Sequence, residues 1–141
     1  MSGVYHGACH CGAVGWVFKT RIDPSVWTVR ACQCAFCRMH AARCTSDPDG
    51  SVELTTSDGE LLRRYRFGLR TADFLICARC GVYLGAVIDE GGRAYATINL
   101  NTMTTPVERL PDAVAVDYDA EDAHARIERR ASKWTPVVSE T

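Results

Sequence analysis

The pattern of apolar and polar positions along the chain predicts short β-strands. In residues 13–18, the apolar side chains of Val14, Trp16 and Phe18 alternate with other residues, which is the period-two pattern of a strand with one buried face. Similar runs follow at 26–30, 51–55, 61–67, 74–77, 82–88 and 94–100. Clusters of turn-forming residues separate several of these runs, at 47–50, 57–60 and 89–92, and the last cluster predicts a hairpin. Short strands at this spacing predict an all-β domain.

Only residues 120–131 have the pattern of a helix. Asp119 precedes them as a candidate N-cap. Arg126, Arg129 and Arg130 lie late in the segment, where positive charge suits the negative end of the helix dipole. The sequence therefore predicts an all-β fold with a short C-terminal helix. We find no internal repeat or low-complexity tract, and 141 residues is a usual length for one domain, so we expect a single domain over residues 1–141.

The composition indicates a thin hydrophobic core. The apolar fraction of 47% includes eight cysteines, and Leu, Ile, Val and Phe together make up only about a fifth of the chain. That fraction is close to the level below which chains tend to be disordered. We place Trp16, Trp27 and Tyr65 in this core. We also expect the fold to be stabilised by something besides apolar packing, because small domains commonly need disulfides or metal ions.

Charge and hydropathy argue against two classes of function. The chain has 16 basic and 17 acidic side chains, for a formal charge of −1, whereas nucleic-acid binding is driven by an excess of Lys and Arg. No stretch approaches the roughly 20 apolar residues that cross a bilayer, and residues 1–18 do not have the pattern of an export signal. We therefore expect a cytoplasmic protein that binds neither nucleic acid nor membranes, in a compartment where thiols stay reduced.

Eight cysteines are the main candidates for functional chemistry. Seven of them lie in three close-spaced groups, which are Cys9 with Cys11, Cys32 with Cys34 and Cys37, and Cys77 with Cys80. Cys44 lies outside these groups. A disulfide framework is one alternative, but it requires an oxidising compartment. Isolated buried thiols are another, and they need no clustering. The close spacing favours metal binding over both alternatives.

Glycine follows the second cysteine in the first and last groups, at Gly12 and Gly81. Glycine supplies the positive φ of a turn that points both sulfurs at one ion, and backbone N–H groups in such a turn can point at the thiolates. Two such turns from distant parts of the chain predict a closed four-thiolate zinc site. Closed sites are structural, and the predicted ligands are Cys9, Cys11, Cys77 and Cys80.

The middle group places three cysteines within six residues, at Cys32, Cys34 and Cys37. Three ligands on a four-coordinate ion leave one position open, which is the arrangement of a catalytic zinc. A site rich in thiolates favours a soft incoming ligand, so a substrate thiol would be held there as its thiolate. Cys44 could instead close this site, but we expect a free or half-buried thiol because no glycine turn follows it. His40 is as well explained by a solvated or substrate-facing side chain as by a ligand.

The order of these three motifs resembles that of the glutathione-dependent formaldehyde-activating enzyme family, whose eukaryotic relatives include centromere protein V. The resemblance covers about residues 3–110, and residues 111–141 would be a C-terminal extension of the same domain. It implies small coiled, zinc-bound β-sheets similar to those of methionine sulfoxide reductase B. It also implies two zinc ions per chain, with a structural ion on the two outer pairs of cysteines and a catalytic ion on the central three. Many members have His where this chain has Gln33, and Cys44 is outside the family motif, so substrate choice could differ.

The resemblance implies a carbon–sulfur lyase or synthase that adds a thiol cofactor, glutathione or a similar compound, to a small aldehyde such as formaldehyde. No catalytic residue is identified beyond the second zinc site. The alternative is a non-catalytic zinc module that binds or carries glutathione, or docks a protein partner. Arg63, Arg64 and Arg66 could hold a carboxylate of glutathione, although exposed charge is common enough to favour a solvated strand face. With seven thiolates and two Zn²⁺ ions, the formal charge of −1 becomes about −4.

Overall fold

The computed structural model describes residues 3–140, and most of their regular structure is β-strand. The strands are β1 (Gly3–Ala8), β2 (Val14–Thr20), β3 (Arg30–Cys32), β4 (Cys44–Thr45), β5 (Ser51–Thr56), β6 (Leu62–Tyr65), β7 (Asp73–Cys77), β8 (Tyr83–Glu90), β9 (Arg93–Asn99), β10 (Val114–Val116) and β11 (Thr135–Glu140). The α-helices are α1 (Ala35–Met39) and α2 (Ala123–Lys133). The prediction of an all-β fold with a short C-terminal helix is confirmed. Neither helix has the length and apolar character needed to cross a membrane.

Two antiparallel ladders form the framework, and the C-terminal strand joins them. One ladder contains β1, β2 and β5, and the other contains β6, β7, β8 and β9. β11 lies between them, because it pairs parallel to β5 and antiparallel to β9. Further along β9, the two-residue strand β4 pairs antiparallel to it, and β3 and β10 follow. The C-terminal segment is therefore part of the sheet and holds its two halves together.

Most strand predictions are confirmed, and so is the hairpin between β8 and β9. Its two turn residues, Gly91 and Gly92, have φ values of 61° and 78°, which glycine adopts without steric penalty. The strand predicted over 26–30 is wrong. The Asp23 carboxylate accepts a hydrogen bond from the Ser25 N–H at 2.9 Å and caps a short 3-10 turn, so the paired strand begins only at Arg30. The strands that the pattern missed are β1, β4, β10 and β11.

Helix α2 begins three residues later than the sequence predicts. Its N-cap is Asp122, whose Oδ1 accepts a hydrogen bond from the Ala125 N–H at 2.8 Å. This capping bond satisfies one of the free N–H groups of the first turn. Ile127 and Ala131, four residues apart on one face, pack against the protein core. That contact fixes which face of α2 is turned toward the sheet.

Two hydrophobic clusters lie beside the two groups of cysteines. The first contains Trp16, Phe18 and Trp27 together with two of the outer cysteines. The second contains Phe74, Tyr83 and Trp134, together with Cys37 and Cys44. Each group of cysteines is therefore supported from within the protein by large side chains.

The tryptophan predictions are confirmed, and the tyrosine prediction is wrong. Trp16 and Trp27 are buried, and the indole N–H of Trp16 donates a hydrogen bond to the Thr102 hydroxyl at 2.9 Å. Tyr65 is 49% exposed, because it lies at the end of β6, which pairs with β7 alone among residues 3–140. Strand β6 therefore has an open edge in the described chain, and the Tyr65 ring packs against the rings of Phe67 and Phe36.

Two cysteine clusters and an arginine-lined pocket

The four outer cysteines come together at one end of the two ladders. Cys9 and Cys11 lie in the turn between β1 and β2, and Cys77 and Cys80 lie at the turn between β7 and β8. All four sulfurs lie within 4.8 Å of one another. The Sγ atoms of Cys9 and Cys11 are 3.7 Å apart, and those of Cys11 and Cys77 are 3.6 Å apart. A tetrahedral ion with Zn–S bonds near 2.3 Å has sulfur–sulfur edges of about 3.8 Å, so this group could hold a metal ion of that kind.

Each of the two turns that carry these cysteines contains a glycine with positive φ, whose N–H bonds back to the carbonyl of the first cysteine. Gly12 has φ +82° and donates its N–H to the Cys9 carbonyl at 3.0 Å. Gly81 has φ +78° and donates its N–H to the Cys77 carbonyl at 2.8 Å. The predicted glycine turns are thus present at both positions. In the first turn the Val14 N–H also points at the Cys9 sulfur, at 3.3 Å, and would partly neutralise a thiolate there.

The three middle cysteines form a second cluster around the start of α1. Cys32 ends β3, Cys34 caps the helix, and Cys37 lies in its first turn. Their sulfurs also lie within 4.8 Å of one another. In residues 3–140, neither His40 nor Cys44 joins this cluster, so it offers three sulfur ligands. His40 instead packs its ring against Phe36, with the ring centres 4.6 Å apart.

Hydrogen bonding within the second cluster favours a thiolate. The thiols of Cys32 and Cys37 and the N–H groups of Cys37 and Phe36 point at the Cys34 sulfur, and together they lower its pKa to about 2. The same contacts raise the pKa of Cys37, because the neighbouring thiol of Cys32 stabilises its neutral form. The cluster offers three sulfur donors, which suit a soft ion, and binding of such an ion requires all three as thiolates.

Cys44 lies near the second cluster but outside it. Its side chain is buried, and desolvation raises its pKa to about 11, although Arg30 nearby lowers it. Tyr83 and Thr97 are its hydrogen-bonding neighbours. The position is consistent with the expected free thiol, and burial is more complete than the sequence predicts.

A pocket opens beside the three-cysteine cluster, with all three cysteines in its wall. The cavity volume is about 100 Å³. Part of the wall is apolar and aromatic, and it contains Phe67, Phe74, Tyr83 and Trp134. Another part is cationic and contains Arg30, Arg126, Arg129 and Arg130. Such a pocket suits a small ligand with an anionic group.

Sequence reasoning did not predict this arginine wall. It assigned the three arginines of α2 only to the helix dipole, whereas their spacing places them on one face and the packing of α2 turns that face to the pocket. Burial lowers the pKa of Arg130 to about 10, and repulsion from Arg129 and Arg126 contributes to the shift. The basic stretch that contains Arg63, Arg64 and Arg66 has a different role. Arg64 and Arg66 form ion pairs with Asp73 on the neighbouring strand, and the side chains of the stretch are largely exposed.

The sequence model described as glutathione-dependent formaldehyde-activating enzyme matches residues 4–119. This chain belongs to the glutathione-dependent formaldehyde-activating enzyme family. The resemblance inferred from the cysteine motifs is thereby confirmed. Among solved structures, the crystal structure of a Rhodobacter sphaeroides protein from structural genomics is similar, with a TM-score of 0.58 and 26% identity over 79% of this chain and 99% of that one. No curated protein matches the chain.

The family match has a clear boundary on the structure. It contains both clusters of cysteines and ends at residue 119, before the N-cap of α2. The part of the chain that matches the family model therefore contains all seven cysteines of the two clusters. Three of the four arginines in the pocket wall come from the segment that follows it.

Proposed function

We propose that this protein is a zinc-dependent enzyme that adds a thiol cofactor, glutathione or a similar thiol, to a small aldehyde such as formaldehyde. The reverse reaction makes it a carbon–sulfur lyase. Membership of the family supports glutathione and formaldehyde as its small-molecule partners. One structural observation carries the proposal: the cluster of three sulfurs lies in the wall of a pocket, so a fourth ligand can reach it from solvent.

The proposal assigns different roles to the two clusters. Cys9, Cys11, Cys77 and Cys80 would hold a structural zinc, because four sulfurs fill a tetrahedral shell. Cys32, Cys34 and Cys37 would hold the second zinc. We further propose that residues 1–141 act as a single domain in the cytoplasm, where thiols stay reduced and available as ligands.

Zinc bound to the second cluster would supply a Lewis acid that keeps an incoming thiol ionised at neutral pH. The rest of the reaction depends on the pocket. Phe67 and Phe74 in the wall exclude water from around the reacting groups, which strengthens electrostatic interactions there. The thiolate sulfur attacks the carbonyl carbon, a carbon–sulfur bond forms, and the oxygen takes a proton from solvent to give a hemithioacetal.

The test is to mix the zinc-loaded protein with formaldehyde and glutathione and to follow adduct formation by exchange NMR. We expect a rate above the uncatalysed control. Cys34→Ala should lose the acceleration, because it removes one of three ligands, whereas Cys44→Ser should keep most of it. A rate equal to the uncatalysed control, or unchanged by Cys34→Ala, contradicts the proposed reaction for this pair of substrates.

Calorimetry with glutathione distinguishes an enzyme from a non-catalytic protein that only binds or carries glutathione. Binding that depends on Cys34, without any acceleration of adduct formation, would identify a non-catalytic zinc module.

Metal analysis with X-ray absorption provides a direct check of the two sites. Two zinc ions per chain, one with fewer sulfur ligands than the other, are expected, and two closed four-sulfur sites would contradict an open second site.

A further inference from the structure

Two of the cations in the pocket beside the three-cysteine cluster, Arg30 and Arg130, form no ion pair in residues 3–140. Arg130 is only 9% exposed, and its hydrogen bond goes to the Thr71 hydroxyl at 2.9 Å. In the part of the chain that the structure describes, no carboxylate lies within 4.0 Å of Arg130 or Arg30. The buried Nε atoms of Arg126 and Arg130 have no hydrogen-bond partner.

Two carboxylates lie near these cations, and they do not neutralise them. Glu121 accepts two hydrogen bonds from Arg129, at 2.8 and 3.0 Å, and so is committed to that pair. Its Oε1 is also 3.6 Å from Arg126 Nε, which is an ion pair without a hydrogen bond. Asp119 lines the pocket but forms no ion pair among residues 3–140. Four guanidinium groups outnumber these two carboxylates, so this part of the pocket wall is cationic.

Burial of an unpaired charge is unfavourable, and natural proteins rarely leave one. The donors here are also preorganised. The Arg130 guanidinium lies 4.9 Å above the Trp134 ring, and Arg30 is held by the hydroxyls of Ser46 and Thr97 at 2.8 and 3.2 Å. These contacts fix two cations in place while leaving donor groups open. A planar guanidinium held in this way matches a carboxylate, which accepts two parallel hydrogen bonds.

Three of the four arginines of the cationic wall come from the C-terminal segment of this chain, and Arg30 comes from β3. The family match ends at residue 119, whereas Arg126 and Arg130 lie on α2. The three-cysteine cluster and Arg30 thus come from the part of the chain that matches the family, and Arg126 and Arg130 come from the part that follows it.

We propose that Arg30, Arg126 and Arg130 form a carboxylate-binding subsite that holds an anionic group of the substrate beside the three-cysteine cluster. The proposal rests on the proposed function only for the statement that the reaction occurs at this cluster. The carboxylate belongs either to the thiol, as in glutathione, or to the aldehyde, as in glyoxylate. In both cases the arginines act by binding and positioning the substrate.

The test measures binding to the full, zinc-loaded chain by calorimetry. S-methylglutathione is the probe for the thiol, because its sulfur is blocked and its binding does not depend on ionisation at the cluster; glyoxylate is the probe for the aldehyde. Arg130→Gln should weaken binding of one probe about ten- to a hundredfold, the loss expected for one charged hydrogen-bonded pair. Arg93→Gln, at the exposed turn between β8 and β9, removes the same charge and should leave binding unchanged.

The outcomes separate the two sources and the two proposals. Weaker binding of S-methylglutathione assigns the carboxylate to the thiol, and weaker binding of glyoxylate assigns it to the aldehyde. Unchanged binding of both probes in Arg130→Gln overturns the subsite. If Arg130→Gln does not fold, Arg126→Gln at the more accessible position answers the same question. If probe binding depends on the arginines but the protein does not accelerate adduct formation, the subsite is supported and the proposed reaction is rejected.

Discussion

The four-cysteine cluster should act as a clamp between two distant parts of the chain, and Cys11→Ser tests this. Cys11 is exposed, so its replacement removes almost no buried surface. Its sulfur lies 3.6 Å from that of Cys77, which is 66 residues away. If the four sulfurs share one ion, this substitution removes one ligand, and Cys9, Cys77 and Cys80 then hold the ion more weakly. Substitutions at exposed positions without such a role usually change stability by at most about 0.5 kcal/mol.

The expected loss follows from the length of the loop. In the chain-entropy description of a covalent cross-link, closing a loop of 66 residues stabilises the folded state by about 4 kcal/mol, and this is the loss expected when the three remaining sulfurs release the ion. For a chain of 141 residues, an unfolding entropy of about 2 cal/mol/K per residue converts this to a fall in Tm of about 14 °C. Zinc chelation of the unsubstituted protein should produce a fall of the same size or larger, since it opens the whole cluster.

The assay is thermal unfolding of the zinc-loaded protein followed by circular dichroism. The matched control is His10→Ser, which changes an exposed side chain in the same turn and should leave Tm nearly unchanged. A Tm for Cys11→Ser that equals the Tm of His10→Ser would show that the four sulfurs do not share an ion. Zinc added back to Cys11→Ser should recover little of the loss, because a serine hydroxyl is a poor ligand for zinc.

Three further results are expected. Gly85→Ala should lower the free energy of unfolding, measured by urea denaturation, by about 2 kcal/mol, because the new Cβ would lie 2.4 Å from a carbonyl oxygen of β9. The control, Gly59→Ala, places its Cβ in open space and should leave stability unchanged. Because the pKa of Cys44 is raised to about 11, it stays a neutral thiol at physiological pH; alkylation mapped by mass spectrometry should be slow and rise as the pH approaches that value. Arg129 lowers the pKa of Glu121, so this pair stabilises the fold at neutral pH and is lost on acidification. Glu121→Gln should therefore lower stability at neutral pH, and the difference should narrow as the pH falls below about 4.

The parts of the site that could be predicted from the sequence are those fixed by local geometry. The glycines after Cys11 and Cys80 determine the turns that aim each pair of sulfurs, and a turn involves only four or five residues. The short spacing from Cys32 to Cys37 likewise forces three sulfurs together wherever the segment lies in the fold. Both clusters could therefore be anticipated without any knowledge of strand order.

The parts that could not be predicted depend on contacts between distant segments. The role of Arg126 and Arg130 depends on where α2 docks, and that is decided by Ile127 and Ala131 packing on the core and by β11 entering between β5 and β9. No local pattern encodes this docking. The N-cap of α2 was misassigned for a different reason: two aspartates precede the helix three residues apart, and local propensity does not distinguish between them.

The electrostatics of the two halves of the site are complementary. Three thiolates with a divalent ion would carry a net charge of −1, and an incoming thiolate would make it −2, which is unfavourable in a partly closed pocket. The guanidinium groups of Arg30 and Arg130 lie in the same wall and would offset that charge. Because α2 supplies Arg130 while β11 joins the two ladders, the C-terminal segment contributes to stability and to the charge of the pocket at once. Its removal should therefore impair folding and substrate binding together, whereas single arginine substitutions separate the two.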